Sequence, residues 1–538
     1  MAKNSISVAT RLLPDWFKRA TVAMAGGALA GAALPRLSWW PLIFASVYLL
    51  HRSIRGAGFW RGAGIGFIGG IFYFASQSIW MSAYLGPEPW LALSILEGLI
   101  FAVGLGTAAL VWQYLDHALG ERTWGGLATV VALSAIWISR EWVSCHWPYG
   151  GYQWSRLGQA LASTPFASLA HFGGISLVSS FAVVVALSAL VLPKRGRTRL
   201  ALGALPVVLL LIATLAAPSL IEINSSSSED RNTLQVTAVQ GNANAGLFAN
   251  PNAGSILAKH IMATKRFFNH HKRMQGESGF TVWPENASDV DPTTNPLASL
   301  SIHSLTNQLI KQPLVFGAVT HRGSKTYNSV LVYQPGQADY QIYDKRRPVP
   351  FGEYVPDREV WRPLAPDLID LIWRGFTPGK KAGVFDIAGT RVGTLICFEI
   401  GIDELTHDLV SAGSTVILSQ ANNADFGHTD EAFQQESLAR LQAISAGRPI
   451  IHVSTVATTE IIAPDGSILA GPVPAFSAGA VSHPIVPVNA LTPAMRFFGW
   501  VDGWAAALSL FFISLALISR MRVRWHRKLS EEESSVEA

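Results

Sequence analysis

"RVGTLICFEI" (391–400) sets Cys397 at the end of an apolar run, immediately before Phe398 and Glu399. The 538-residue chain holds one other cysteine, Cys145, in a distant and very apolar segment. Two such cysteines make neither a disulfide framework nor a zinc site. A buried cysteine is ordinarily a small hydrophobe that fills a core. Whether Cys397 is instead a nucleophile depends on the segments around it.

Those segments alternate strands with longer helices. "LQVTAVQGN" (234–242) reads as a strand, "AGSILAKHIMATKRFFNHH" (253–271) as a helix, "GFTVWPENA" (279–287) as a strand and "LASLSIHSLTNQLIK" (297–311) as a helix. "PLVFGAVT" (313–320), "YNSVLVYQP" (327–335) and "ADYQIYDK" (338–345) follow as strands, the last two paired. "RVGTLICFEI" and "STVILSQANN" (414–423) read as buried strands, and "EAFQQESLARLQAISAG" (431–447) as a long helix. The alternation predicts an α/β layered domain whose strands are largely buried.

Strand ends are where such layers present chemistry. Glu285 closes "TVWPE", Lys345 closes "QIYDK" and Cys397 closes "GTLIC". A thiol with an ordinary pKa near 8.5 needs a base or a positive charge to act at neutral pH. A glutamate can take its proton, and a lysine can hold the oxyanion that forms when it attacks. Taken singly, each residue has a plainer reading: Glu285 as a helix cap, Lys345 as a solvated strand end, Cys397 as packing.

Composition places this domain beside a membrane. Hydrophobic residues make up 49% of the chain and charged residues 14%, with 18 Trp and a mean hydropathy of +0.29. A soluble enzyme carries about 25% charged residues. The deficit falls before about residue 222. Spanning hydrocarbon takes roughly 20 apolar residues, and seven segments precede the polar middle: 19–35, 38–51, 58–84, 90–115, 124–144, 168–192 and 200–221. An eighth, 498–519, follows it. The expected architecture is therefore a membrane domain over 1–221, a polar linker over 222–232, an α/β domain over 233–490, a last span at 498–519 and a tail over 520–538. That tail is basic, then acidic, and its end "EEESSVEA" is expected to be disordered.

Lys and Arg remain in short cytoplasmic loops. Lys3, Arg11, Lys18 and Arg19 precede the first span, Arg52, Arg55 and Arg61 follow the second, and Lys194, Arg195, Arg197 and Arg199 separate the sixth from the seventh. "RMRVRWHRK" (520–528) follows the eighth. Both termini are then expected in the cytoplasm and the polar domain outside it. These flanks account for the net charge of +5, and no nucleic-acid-binding pattern appears.

"WPEN" around Glu285, "YDKRRPVPFGEYVP" around Lys345 and "ICFEI" around Cys397 resemble the nitrilase, or carbon-nitrogen hydrolase, superfamily, over residues 232–485. With the apolar spans, and with "VQGN" (239–242), "REW" (140–142), "VPFGEY" (349–354) and "GRP" (447–449), the whole chain resembles the apolipoprotein N-acyltransferase family. The resemblance implies an αββα sandwich and a Glu285–Lys345–Cys397 triad. The implied reaction moves an acyl chain from a phospholipid to the α-amino group of a diacylated apolipoprotein, through a Cys397 thioester. Lys345 and the backbone N–H of Phe398 would hold the oxyanion, and Glu353 and Glu399 would support the site.

The implied setting is a bacterial cytoplasmic (inner) membrane, with phospholipid, apolipoprotein and the bilayer as partners. A monomer is expected, and no cofactor or metal. Two readings remain beside this one: a membrane-anchored amidase using the same triad, and a non-catalytic membrane protein that binds lipid or lipoprotein. Two positions depart from the family pattern, Asp425 in "NNADFG" and Arg347 in "KRRPVPFGEY". Aromatic residues mark two further candidates. Trp373 and Phe376 in "LIWRGFTPGKKAG" (371–383) could form a lid or an ordinary surface loop. Trp147 and Tyr149 in "HWPYGGYQWSRLGQ" (146–159) could serve substrate access or an interfacial belt.

Overall fold

The computed structural model describes residues 14–120, 122, 124–191, 205–216, 233–246, 252–372 and 375–537. The chain divides into two compact units. One comprises Met1–Leu161, Ser176–Ala213 and Gly499–Ala538, the other Ala162–Ile175 and Thr214–Phe498.

The first unit is built of helices. Among the described residues, four helical segments are long and apolar enough to cross a membrane: Pro87–Leu119, Gly125–His146, Pro165–Val191 and Trp500–Ser535. Leu42–Ile54 and Leu205–Ala216 are apolar but shorter. The segment expected at 19–35 is a helix from Asp15 to Ala33, and that expected at 58–84 breaks into Phe59–Gln77 and Trp80–Leu85. The ends of the span expected at 200–221 and the linker at 222–232 lie outside the described residues.

Small residues set the spacing of these helices. Gly62, Gly66 and Gly70 recur every four residues on the helix Phe59–Gln77. A Cβ on each would come within 2.6 Å of Ala109 Cβ, 2.7 Å of Leu105 Cβ and 2.6 Å of Phe101 Cβ, all on Pro87–Leu119. Glycine therefore lets the two backbones approach closely where lipid supplies no hydrophobic drive.

The expected disordered tail is instead helical. The last helix runs unbroken from Trp500 to Glu537. No Gly or Pro follows Gly503, so nothing interrupts the backbone ladder, and Lys528 pairs with Glu532 one turn on.

The second unit stacks two six-stranded sheets. Its strands are β1 Leu234–Gln240, β2 Gly279–Val282, β3 Leu314–Arg322, β4 Lys325–Tyr333, β5 Gln341–Asp344, β6 Val384–Ile387, β7 Thr390–Ile396, β8 Val416–Ala421, β9 Ile450–Ser454, β10 Thr459–Ile462, β11 Ile468–Val473 and β12 Gly479–Ile485. One sheet has the order β12-β1-β2-β3-β4-β5, the other β11-β10-β9-β8-β7-β6. The centres β1-β2-β3 and β7-β8-β9 are parallel and the remaining pairs antiparallel.

Val236, Val282 and Val330 of the first sheet meet Val392, Leu418 and Val453 of the second in a common core. Side chains alternate across a strand, so Trp283, Leu314 and Phe316 belong to a second core with Phe268 and Ile302 of the helices Ser255–His270 and Pro296–Ser304. The helices Asp403–Ser411 and Glu431–Ala446 pack on β7 and β9. The layers are therefore helix, sheet, sheet, helix. Strands β6 and β9–β12 carry no counterpart in the sequence reading; β11 is largely exposed while β9 and β10 are buried throughout, and neither pattern gives the alternation that marks a strand.

Candidate active site

Three strand ends from both sheets converge. Glu285 lies just past β2, Lys345 follows β5 directly, and Cys397 follows β7. Gly317 of β3 makes room for the turn after β2: a Cβ there would lie 2.6 Å from Glu285 Cα. Gln420 of β8 ties the sheets together, donating to the Trp283 carbonyl at 2.8 Å while accepting from Thr394 Oγ1 at 2.7 Å.

Glu285 and Lys345 are buried, 4% and 1% exposed. Lys345 Nζ lies 2.8 Å from Glu353 Oε2 and 3.6 Å from Glu285 Oε1. Asn328 Nδ2 bridges the same carboxylates, donating to Glu285 Oε1 at 2.7 Å and Glu353 Oε1 at 2.9 Å. The Val349 N–H donates to Glu353 Oε2 at 2.7 Å. Burial by itself would push the Lys345 ammonium down, but the charges of Glu353, Glu285 and Cys397 together raise it. The lysine is therefore a fixed cation. Burial raises Glu285 towards its neutral form, with Lys345 opposing the rise, and such a carboxyl is poised to exchange a proton.

Glu399 is fully buried. It accepts backbone N–H groups from Ile396 at 2.9 Å, Arg346 at 2.7 Å and Arg347 at 3.0 Å. The Tyr343 hydroxyl donates to both its oxygens at 2.9 and 3.0 Å. Glu399 thus laces the segment after Lys345 to the segment carrying Cys397. Arg347, one of the departures from the family pattern, serves here through its backbone, while Asp425 sits on the short turn Ala424–Phe426.

Cys397 is half-buried with φ of +53°, a left-handed conformation uncommon outside glycine and characteristic of strained functional turns. Burial pushes its thiol well up, Glu285 adds to the rise and Lys345 opposes it. The upward shift favours the thiol form, so the sulfur could act as a nucleophile only by giving up its proton. Phe398 follows it on the 3-10 turn Cys397–Gly401.

Residues that the sequence reading did not single out complete the site. Besides Asn328 they are Asn423, Glu431 and Gln435, with Gln435 Nε2 3.5 Å from Cys397 Sγ. Glu431 and Gln435 stand four residues apart on one helix, hence on one face, and that spacing was the available signal. Of the lid candidates, Trp373 lies outside the described residues. The Phe376 N–H donates to the Glu353 carbonyl at 2.9 Å, so its backbone is tied to the site. Trp147 and Tyr149 belong to the other unit and are exposed.

Comparison with known sequences supplies the family. Residues 276–489 match the family described as Carbon-nitrogen hydrolase, and residues 26–188 match the Apolipoprotein N-acyltransferase N-terminal domain. The chain belongs to the apolipoprotein N-acyltransferase family. Relatives bearing that family name include a protein of Mycolicibacterium smegmatis, 28% identical over 83% of this chain and 76% of its own length, and one of Azotobacter vinelandii, 28% identical over 94% and 95%. Among solved structures, a mutant of the Nesterenkonia AN1 amidase from the nitrilase superfamily is 12% identical, with a TM-score of 0.35, covering 48% of this chain and 93% of that one.

Proposed function

We propose that this family member transfers an acyl chain from a membrane phospholipid to the N-terminal α-amino group of a diacylated apolipoprotein. The observation that carries this reading is the buried Lys345 between Glu285 and Glu353, next to a strand-end Cys397, in a chain whose apolar helices can hold two lipid substrates in the bilayer. It names the enzyme a phospholipid-dependent acyltransferase.

In the first half-reaction Glu285 takes the Cys397 proton and the thiolate attacks the phospholipid ester carbonyl. Lys345 and the Phe398 N–H hold the tetrahedral oxyanion. Collapse breaks the ester C–O bond, Glu285 returns the proton to the departing lysophospholipid, and a thioester remains on Cys397. In the second half the apolipoprotein amine attacks that thioester and Glu285 takes a proton from the amine. The C–S bond breaks, an amide forms, and the sulfur recovers its proton. Glu353 and Glu399 orient Lys345 and the Cys397 turn. Phe376 and Trp373 serve as a lid, and Trp147 and Tyr149 as an access surface.

The topology we propose has eight spans, with both termini cytoplasmic and the domain at 233–490 on the external side of the bacterial inner membrane, the protein acting as a monomer. The positive charge of Arg52, Arg55 and Arg61 and of residues 520–528 supports this orientation.

The test is intact mass of the full-length protein after incubation with phospholipid, beside Cys397→Ser. A long-acyl increment on the wild type that a diacylated lipopeptide clears is the expected result. No increment, with lysophospholipid or amide hydrolysis proceeding, would replace transfer by simple hydrolysis.

A further inference from the structure

A chain of buried side chains leading to Cys397 has a single consistent hydrogen arrangement. It begins at Ser454, whose Oγ accepts N–H groups from Val456 at 3.4 Å and Ala457 at 3.1 Å and donates its own hydrogen to Asn423 Oδ1. Asn423 therefore faces Ser454 with its oxygen and must direct its amide nitrogen the other way. That nitrogen donates to Glu431 Oε2 at 2.7 Å and to Gln435 Oε1 at 2.9 Å. With its oxygen so engaged, Gln435 turns its own nitrogen on Cys397 Sγ, 3.5 Å away. Each link is buried: Ser454 and Gln435 fully, Asn423 to 1% exposure and Glu431 to 2%.

An N–H group aimed at sulfur distinguishes between sulfur's states. Thiol and thioester sulfurs are weak acceptors, whereas a thiolate is a charged one, and hydrogen bonds to charged groups are roughly twice as strong. Such a donor therefore stabilises the states in which negative charge builds on Sγ more than the ground states on either side, which is the condition for acceleration.

We propose that Gln435 is a catalytic residue of this site, a donor to sulfur that stabilises the Cys397 thiolate as the thiol attacks and again as the thioester breaks, with Asn423 and Ser454 as the positioning residues that fix its orientation. The proposal rests on Cys397 being the nucleophile. Glu285 handles the proton and Lys345 the oxyanion, and Gln435 takes the remaining charge, that on sulfur.

The experiment compares full-length wild type with Gln435→Leu, Gln435→His and Ser454→Ala. It reads the iodoacetamide alkylation rate of Cys397 at pH 8 by peptide mapping, and the rate at which a lipopeptide clears the acyl-enzyme. At that pH alkylation follows the thiolate fraction. Gln435→Leu is expected to slow both about tenfold, Gln435→His to restore most of the loss through its ring N–H, and Ser454→Ala to slow both about threefold by freeing Asn423 to turn over.

Unchanged rates in Gln435→Leu would overturn the proposal. So would a loss that Gln435→His leaves in place, since packing and not donation would then be at work. If Gln435→Leu fails to fold, unchanged rates in Ser454→Ala overturn it equally. Absence of any acyl-enzyme in the wild type would instead remove the proposed function, whereas a wild-type adduct with unaltered variant kinetics removes only the role of Gln435.

Discussion

The Lys345 ammonium lies 2.8 Å from the Glu353 carboxylate, nearer than to Glu285, so the cation is anchored on the carboxylate that the proposed proton transfers leave alone. Glu285 keeps a looser contact of 3.6 Å. Division of labour follows from the difference: Glu353 holds the charge, and Glu285 is free to gain and lose a proton. Lys345→Met leaves the buried Glu285 and the half-buried Glu353 carboxylates without their cation. It should abolish acyl-enzyme formation and destabilise the α/β unit by about 3–5 kcal/mol, read as a fall in melting temperature. Retention of both stability and acylation would show that the pair carries no such load.

Glu399 accepts three backbone N–H groups and the Tyr343 hydroxyl. Glu399→Gln replaces one of its oxygens by a donor that faces other donors. The cost should be about 2–4 kcal/mol, with acylation slowed because the turn carrying Cys397 loses its brace. A variant that melts and acylates like wild type would contradict this.

Glu431 gives a pH dependence whose direction is set. Burial pushes its carboxyl up to about 7 from an ordinary 4.5, with the Asn423 hydrogen bond opposing and the Glu285 charge adding. Between those two values the folded state keeps a proton that the unfolded chain has lost, so stability falls as pH rises through that window. Glu431→Gln has no proton to lose. Its melting temperature relative to wild type should climb from pH 4.5 to about pH 7 and then level. Because the Glu431 charge also raises the Cys397 thiol, the variant's thiol should alkylate faster than wild type at pH 8. A pH-independent difference in melting would refute the assignment.

Gly66 lies where a Cβ would meet Leu105 Cβ at 2.7 Å. Gly66→Leu should force the helices Phe59–Gln77 and Pro87–Leu119 apart at a cost of about 1–3 kcal/mol. The expected signature is a lower melting temperature in detergent with the Cys397 alkylation rate retained.

Alkaline phosphatase fused at residue 300 should be active, and a cytoplasmic reporter there silent. The reverse pattern would invert the topology.

Much of this was legible in one dimension. The apolar spans, the strand-helix alternation and the strand-closing positions of Glu285, Lys345 and Cys397 are local patterns, set by side-chain period and by where an apolar run stops. Such signals survive without knowledge of neighbours. The same local view failed at the C-terminal tail: an acidic run reads as disordered, yet an uninterrupted ladder from Trp500 carries the helix to Glu537. It also failed at β9–β12, where β9 and β10 are buried throughout and β11 is largely exposed, so that none of the three alternates.

Only the folded chain could decide which polar residues meet. Asn328 bridges Glu285 and Glu353 because β4 lies beside β3 and β5. Asn423, Gln435 and Ser454 reach one another because β8 and β9 are adjacent and the helix Glu431–Ala446 packs across β9. Asparagine, glutamine and serine have no periodicity that announces a role; their hydrogen-bonding directions acquire meaning once partners are fixed in space and water is excluded. The sequence by itself determined where apolar helices lie, the layered fold and the strand-end positions of Glu285, Lys345 and Cys397, since each is written in short-range pattern. The tertiary structure alone decided which carboxylate anchors the lysine and which amide faces the sulfur, since burial favours strongly those arrangements in which donors and acceptors meet.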